Sequence, residues 1–132
     1  MSWRSHGTST NDSLIDALEK NNLIASRDVV GKAMRKVDRK WYVESADANE
    51  AYRDHPLQIG SNATISAPHM HAMCLELSKE YVVVNDDDDD DDAGGGYGNG
   101  RVLDVGSGSG YLVACFAEMM MQQNVSSSSS KV

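Results

Sequence analysis

The sequence predicts an α/β fold in which N-terminal helices precede the first βα unit of a cofactor-binding domain. Two observations carry this prediction. Apolar side chains recur at helical spacing between residues 14 and 37. Residues 102–110 then read Val-Leu-Asp-Val-Gly-Ser-Gly-Ser-Gly, and an apolar helical stretch over residues 111–121 follows at once. A strand, a glycine-rich loop and a helix in this order let a nucleoside-bearing cofactor approach the backbone closely, because glycine has no Cβ and tolerates positive φ.

Composition and charge limit the classes of protein that the chain can represent. It has 132 residues, enough for one small domain, and its net charge of −8 is concentrated in the seven aspartates Asp86–Asp92. The remainder is nearly neutral, which argues against nucleic acid or a membrane surface as a partner. The chain also lacks a bilayer-spanning apolar run and the apolar centre of a signal peptide. We therefore expect a cytoplasmic monomer in which Cys74 and Cys115 are buried free thiols rather than a disulfide.

Two helices are predicted after a loose polar arm at the start of the chain. The first runs from near Asp12 to Asn21, and the second follows Ser26 as its N-cap. Trp41 and Tyr42 are predicted to cover these helices with aromatic rings. The predicted buried positions are Leu14, Ile15, Leu18, Val29, Val30, Ala33, Met34 and Val37.

The middle of the chain is predicted to hold a loop, a turn and a third helix. Residues 43–56 are polar and mixed, and Gly60-Ser61-Asn62 has turn-forming composition between two isoleucines. Pro68 fits the first turn of a helix, and residues 81–84 are either strand-prone or the end of that helix. The predicted apolar face of this third helix consists of Met70, Met73, Cys74 and Leu77.

Two segments have compositions that do not favour a packed core. Residues 85–100 combine the aspartate run with glycines, which predicts a solvated linker rather than a calcium site, because calcium loops alternate carboxylates with turn residues. Residues 122–132 are of low complexity. The predicted organisation is therefore a helical region over 1–84, a disordered Asp/Gly-rich insert over 85–100, the first βα unit over 101–121 and a disordered tail over 122–132.

The chemistry of the glycine loop favours a cationic ligand. Its spacing does not match the G-x-G-x-x-G of dinucleotide-binding loops, because position 111 is Tyr111, and it lacks the lysine of a phosphate loop. Asp104 lies inside the predicted strand, where a carboxylate is costly to bury without a partner or a task. A generic NAD- or ATP-binding domain is thereby disfavoured.

Several segments carry a resemblance to a known family. Val102–Gly110 resembles motif I of the class I S-adenosylmethionine-dependent methyltransferases. Ala63–His71, preceded by Gln58-Ile59-Gly60, is similar to the hallmark segment of the protein-L-isoaspartate (D-aspartate) O-methyltransferases, and Val37-Asp38-Arg39 resembles their N-terminal region. The resemblance implies a Rossmann-like methyltransferase fold, of which this chain would hold the N-terminal helices and the first βα unit with an incomplete sheet.

The same resemblance implies an activity and a set of site residues. The activity is methyl transfer from S-adenosyl-L-methionine to the free carboxylate of L-isoaspartyl and D-aspartyl residues in age-damaged proteins and peptides. Since that carboxylate is ionised at neutral pH, with a pKa of about 4, the enzyme needs no general base and mainly positions the reacting atoms. Ser66 is implied as the catalytic residue that orients the carboxylate, with support from Thr64. The implied cofactor contacts are Ala63, Thr64, Ile65, Ser66, His71, Asp104, Gly106, Ser107, Gly108, Ser109 and Gly110.

Three further expectations limit this interpretation. His69 and His71 point about 200° apart around a helix, so no metal site is predicted. The acidic residue that binds ribose in such folds, roughly 20 residues beyond the glycines, has no counterpart, so the chain resembles a form truncated after motif I and its activity alone is expected to be weak or absent. The alternative function is a catalytically inactive fragment that acts as a protein-interaction module.

Overall fold

The computed structural model describes residues 8–44, 48–82 and 101–128, and it contains helices around a small two-stranded sheet. The predicted insert over 85–100 therefore lies outside the described residues. None of the described helices is long and apolar enough to cross a bilayer. In chain order the elements are α1 (Asn11–Lys20), α2 (Val29–Lys36), a 3-10 turn (Arg39–Tyr42), α3 (Ala48–Ala51), β1 (Leu57–Gln58), β2 (Thr64–Ile65), α4 (Pro68–Val82) and α5 (Tyr111–Ser128).

Helix α1 begins at Asn11, close to the predicted start. Thr10 is its N-cap: the Thr10 side chain accepts a hydrogen bond from the Ser13 backbone N–H, and the Ser13 hydroxyl accepts one from the Thr10 N–H. The predicted face of α1 is confirmed, because Leu14, Ile15 and Leu18 are all fully buried.

Helix α2 confirms its predicted stripe but not its predicted cap. Val30, Ala33 and Met34 are fully buried. The N-cap is Asp28, whose carboxylate accepts a hydrogen bond from the Val29 N–H at 2.7 Å, and not Ser26. The prediction was wrong because the chain turns between the two positions, where Arg27 adopts a φ of +59°.

Helix α5 packs against both α2 and α4 and completes the core. Its buried side chains are Tyr111, Cys115, Phe116 and Met119. The helix continues through Ser128, so residues 122–128 are helical where the sequence predicts disorder. Each residue added to an existing helix gains a backbone hydrogen bond without a new nucleation cost, and this lets the apolar segment extend into a polar one.

Strands β1 and β2 form an antiparallel hairpin with Leu57 opposite Ile65 and Gln58 opposite Thr64. The predicted turn is confirmed: Gly60, Ser61 and Asn62 all have positive φ, at 86°, 50° and 57°. Helix α4 begins at Pro68, shortly after β2 ends, as predicted.

The predicted apolar face of α4 is wrong. Met70, Met73, Cys74 and Leu77 are exposed, whereas the buried face carries His71, Ala72 and Leu75. Apolar side chains occur on both sides of this helix, so periodicity alone does not select the side that packs. The small side chain of Ala72, fully buried, lies on the packed side.

Three other expectations are corrected by the structure. Cys115 is buried, but Cys74 is exposed, and both are free thiols. Trp41 does not cover the helices, because 77% of it is exposed, whereas Tyr42 makes an edge contact with the Tyr111 ring. Residues 102–105 form no strand, with Leu103 and Val105 at 87% and 86% exposure. A strand needs a neighbour to pair its backbone groups, and none of the described residues supplies one.

Candidate functional site

A cavity of about 160 Å³ lies between the segment that joins β2 to α4 and the glycine loop that precedes α5. Of the predicted site residues, all but Ala63 and Gly110 line it. Two segments that are distant in sequence therefore meet at one place in the fold. The predicted residues around the cavity are Thr64, Ile65, Ser66, His71, Asp104, Gly106, Ser107, Gly108 and Ser109.

The glycine loop turns sharply at positions that only glycine adopts without strain. Gly106, Gly108 and Gly110 have φ values of 84°, 54° and 82°. A Cβ at Gly106 would meet nothing within 4 Å, so the backbone there faces open space. Gly110 donates to the Ser107 carbonyl at 2.8 Å, and its own carbonyl accepts the Ala114 N–H at 3.0 Å. The loop therefore leads directly into α5 while it leaves its backbone accessible to a ligand.

The opposite wall is the short run from β2 into α4. Ile65 points into the core and is only 3% exposed, whereas Thr64 is exposed and Ser66 is half-buried. The side-chain hydroxyls of Thr64 and Ser66 form no hydrogen bond to any other described residue. Both hydroxyls are therefore available to a ligand in the cavity.

Arg39 lies behind this wall and was not predicted as a site residue. Its guanidinium is fully buried, donates from Nη2 to the Ser66 carbonyl at 2.7 Å and places Nη1 3.3 Å from His71 Nδ1. Its carbon Cζ lies 5.7 Å from the centroid of the Tyr111 ring. Burial lowers the pKa of Arg39 to about 10, which still leaves it charged at neutral pH.

His71 and Tyr111 connect the two walls. Their ring centroids are 4.9 Å apart, and both residues line the cavity. Burial, reinforced by the charge of Arg39, lowers the pKa of His71 to about 4, so the ring is neutral at physiological pH. Burial also raises the pKa of the Tyr111 hydroxyl well above its ordinary value and that of the Cys115 thiol to about 12. Among the described residues, the inner side of the site therefore holds neutral His71, Tyr111 and Cys115 side chains beside the charged Arg39.

His69 and His71 face different surroundings, as their spacing predicts. His69 Nδ1 lies 2.8 Å from Asp54 Oδ2, and the His69 backbone N–H donates to Asp54 Oδ1 at 2.9 Å. Asp54 thus caps the first turn of α4 on the side of His69, whereas His71 faces the cavity. Within the described ranges, no three His, Cys, Asp or Glu side chains are grouped as metal ligands.

Sequence reasoning missed several residues of the cavity. Met70, Cys74, Tyr111 and Leu112 complete its lining. The position of Tyr111 directly after the last loop glycine is a signal that could have identified it. Arg39 offered a weaker signal, since a lone arginine two residues beyond a helical stripe is most often a surface residue.

Comparison with known proteins gives one consistent family. Residues 9–130 match the family model described as Protein-L-isoaspartate(D-aspartate) O-methyltransferase. The chain is 42% identical over 118 residues to protein-L-isoaspartate O-methyltransferase 1 of Arabidopsis thaliana, and 42% identical over 120 residues to the Caenorhabditis elegans protein-L-isoaspartate O-methyltransferase. These alignments cover 89% and 91% of this chain but 44% of each relative, so the chain spans less than half of their length.

A solved structure shares the fold. It is a putative protein-L-isoaspartate O-methyltransferase from Plasmodium falciparum in complex with S-adenosyl-L-homocysteine, which matches with a TM-score of 0.67 at 33% identity. The match covers 89% of this chain and 45% of that one. The similarity confirms the predicted α/β fold class with an incomplete sheet.

Proposed function

The chain belongs to the protein-L-isoaspartate (D-aspartate) O-methyltransferase family, and we propose that it supplies the carboxylate-orienting segment and one wall of the cofactor pocket for this reaction. The proposed reaction transfers a methyl group from S-adenosyl-L-methionine to the free carboxylate of L-isoaspartyl and D-aspartyl residues in damaged proteins. The observation that carries the proposal is that Ser66, Thr64, Asp104 and the glycine loop line one shared cavity.

The residues of the cavity fit part of this cofactor. Asp104 offers a carboxylate for an ammonium group, and the open backbone at Gly106 gives room for a nucleoside to approach. A volume of about 160 Å³ is well below the ~300–1,000 Å³ of most small-molecule sites. The described residues therefore account for one side of a pocket rather than a complete one.

The chemistry requires positioning more than proton transfer. S-adenosyl-L-methionine, when bound, supplies a methyl group that is already activated by its sulfonium. We propose that Ser66 donates a hydrogen bond to one oxygen of the substrate carboxylate, with Thr64 beside it. A hydroxyl can orient an ionised carboxylate without taking a proton from it, so the second oxygen keeps its charge for attack. The apolar side chains of Met70 and Leu112 line the same cavity.

The remaining parts of the proposal concern partners and location. We infer that the partners are isoaspartyl-containing proteins rather than nucleic acid or membranes, which is supported by the near-neutral charge outside the aspartate run. A cytoplasmic monomer agrees with two free thiols in the described part of the chain. Light scattering of the purified chain would test the monomer.

Titration calorimetry with S-adenosyl-L-homocysteine tests the cofactor site directly. We expect binding to the chain and weaker binding to Asp104→Asn, with Glu80→Gln, an exposed carboxylate on α4 outside the cavity, as the matched control.

The substrate is tested with two peptides that differ only in an isoaspartyl or an ordinary aspartyl residue, by transfer of labelled methyl. Absence of binding by the unaltered chain, or measurable labelling that is equal for both peptides, would contradict the proposal.

One observation favours a second candidate, a protein-interaction module without catalytic activity. Helix α4 exposes Met70, Met73, Leu77 and Tyr81 to solvent, at 48%, 48%, 74% and 75%. Contiguous exposed apolar side chains often mark protein contacts. The calorimetric experiment separates the candidates, because an interaction module would show no affinity for the cofactor product.

A further inference from the structure

Arg39 is a buried cation that forms no ion pair with a carboxylate of the described residues. It is fully buried, and none of the ion pairs between described residues includes it. Asp54 attracts it only through longer-range electrostatics, and Nε finds no hydrogen-bond partner among the residues that the structure describes. Burial of an unpaired charge in a protein interior is unfavourable, so a guanidinium at such a position indicates a compensating role.

The two contacts of Arg39 both point to the cavity wall. Nη2 holds the Ser66 main-chain carbonyl at 2.7 Å, and Nη1 lies 3.3 Å from His71 Nδ1. The Ser66 carbonyl lies just before α4, and His71 lies in its first turns, so one planar group spans the start of this helix. Because the guanidinium is planar and its N–H groups point in fixed directions, it fixes the position of the Ser66 carbonyl relative to the His71 ring.

The contact with His71 determines which ring nitrogen carries the proton. An arginine only donates hydrogen bonds, so Nδ1 of His71 must accept. A neutral imidazole that accepts at Nδ1 carries its proton at Nε2. His71 lines the cavity and no other described residue takes a hydrogen bond from Nε2, so this N–H is available to a ligand.

We propose that Arg39 is a positioning residue for this site, which fixes the Ser66 backbone and holds His71 as a neutral N–H donor from Nε2 toward the bound ligand. The inference rests on the proposed function only for the identity of that ligand. A neutral donor serves a cofactor that carries both positive and negative groups, because it adds no charge to repel the ammonium or the sulfonium.

The other groups around His71 support a fixed protonation state. Tyr111 on α5 contacts its ring, Cys115 lies one turn further along the same helix, and Asp104 lines the same cavity. Cys74, on its own helix, also lines the cavity. Burial disfavours the protonated form of the His71 ring, and Arg39 is the one cation of the described residues that adds to this effect.

Nitrogen-15 NMR of the histidine rings tests the proposal without any ligand. In the unaltered chain we expect His71 to show the Nε2–H tautomer and to titrate near pH 4. Arg39→Met should shift its titration midpoint toward the ordinary value of about 6.5 and mix the tautomers, whereas Arg39→Lys should restore part of the shift. Arg53→Met, the same change at an exposed arginine, is the matched control and should change nothing.

A second measurement connects the tautomer to binding. Arg39→Met should weaken binding of S-adenosyl-L-homocysteine about tenfold relative to Arg53→Met, with partial rescue in Arg39→Lys. A His71 that carries its proton at Nδ1 in the unaltered chain would overturn the inference, and this result needs no variant to fold. If the unaltered chain shows the Nε2–H tautomer but does not bind the cofactor product, the proposed function fails and the positioning role of Arg39 stands.

Discussion

The rings of His71 and Tyr111 lie 4.9 Å apart at an interplanar angle of 49°, and this contact joins the two halves of the site. His71 belongs to the helix that follows the Ser66 segment, and Tyr111 is the first residue of the helix that follows the glycine loop. Because both rings are buried, the spacing of the two cavity walls depends on core packing rather than on the loops themselves.

Tyr111 should therefore be required for stability as well as for the site. It is 1% exposed and contacts His71, Tyr42 and Arg39, so we expect Tyr111→Ala to destabilise the chain by about 3–5 kcal/mol. Trp41→Ala is the matched control and should cost under about 1 kcal/mol, because that ring is 77% exposed and contacts Lys40 only at the surface. Urea unfolding followed by circular dichroism measures both, and equal losses would contradict the central position of Tyr111.

Ser66→Ala should impair substrate handling while it leaves the fold intact. The hydroxyl forms no hydrogen bond to another described residue, so its removal should change the free energy of unfolding by less than about 0.5 kcal/mol. Loss of a hydrogen bond to a charged group corresponds to about 1.5–3 kcal/mol, and we expect a 10- to 100-fold weaker response to an isoaspartyl peptide. Labelled methyl transfer and peptide binding in the presence of S-adenosyl-L-homocysteine provide the readouts.

The control for this change is Ser78→Ala. Ser78 lies on the same helix but donates to the Cys74 carbonyl and does not line the cavity. Peptide binding that is lost equally in both variants would indicate a general effect on α4 and would remove Ser66 from its proposed role.

The sequence predicts those parts of the fold that depend on local chemistry. The stripe of α2, the hairpin turn at Gly60 and the start of α4 at Pro68 follow from spacing, positive φ and a missing N–H, which act within a few residues. The meeting of Ser66 and Gly106 at one cavity was predicted only through family resemblance, because nothing local determines it.

Other features depend on neighbours that are distant in sequence. Contacts with α2 and α5 determine which side of α4 is buried. Because apolar residues occur on both sides of this helix, its sequence pattern does not predict the buried side. Arg39 is buried because a carbonyl and a neutral ring receive its donors, and both partners lie about thirty residues away. Residues 102–105 have strand-forming composition, but pairing requires a neighbour that the described residues do not supply.

Stability should fall as the solution is acidified through the range set by His71. Its pKa is about 4 in the folded chain and about 6.5 when unfolded, so between these values the unfolded state binds more protons. Protonation of His71 therefore does not reduce the free energy of unfolding above about pH 6.5. The free energy of unfolding declines as the pH falls toward 4, and His71 causes no further change below pH 4. One pKa unit corresponds to about 1.4 kcal/mol, so the total change is on the order of 3 kcal/mol.

Unfolding midpoints measured between pH 4 and 8 would show this slope. The His71→Gln variant should lack this pH dependence, because glutamine does not take up a proton when the chain unfolds. His69→Gln changes the partly exposed partner of Asp54 and should retain the slope that arises from His71. A His71→Gln variant with the same pH dependence as the unaltered chain would exclude His71 as its source.

The glycine loop provides the last prediction. Gly106 and Gly60 have nearly equal φ values, 84° and 86°, so alanine at either position carries similar backbone strain, of about 1–2 kcal/mol. A Cβ at Gly60 would meet the flexible Glu44 carboxylate, whereas a Cβ at Gly106 would enter open space on the cavity side. We therefore expect both variants to be destabilised to a similar extent, but only Gly106→Ala to lose affinity for S-adenosyl-L-homocysteine. Calorimetry on the two variants at matched stability measures this difference, and undiminished affinity in Gly106→Ala would show that the ligand does not approach the loop backbone.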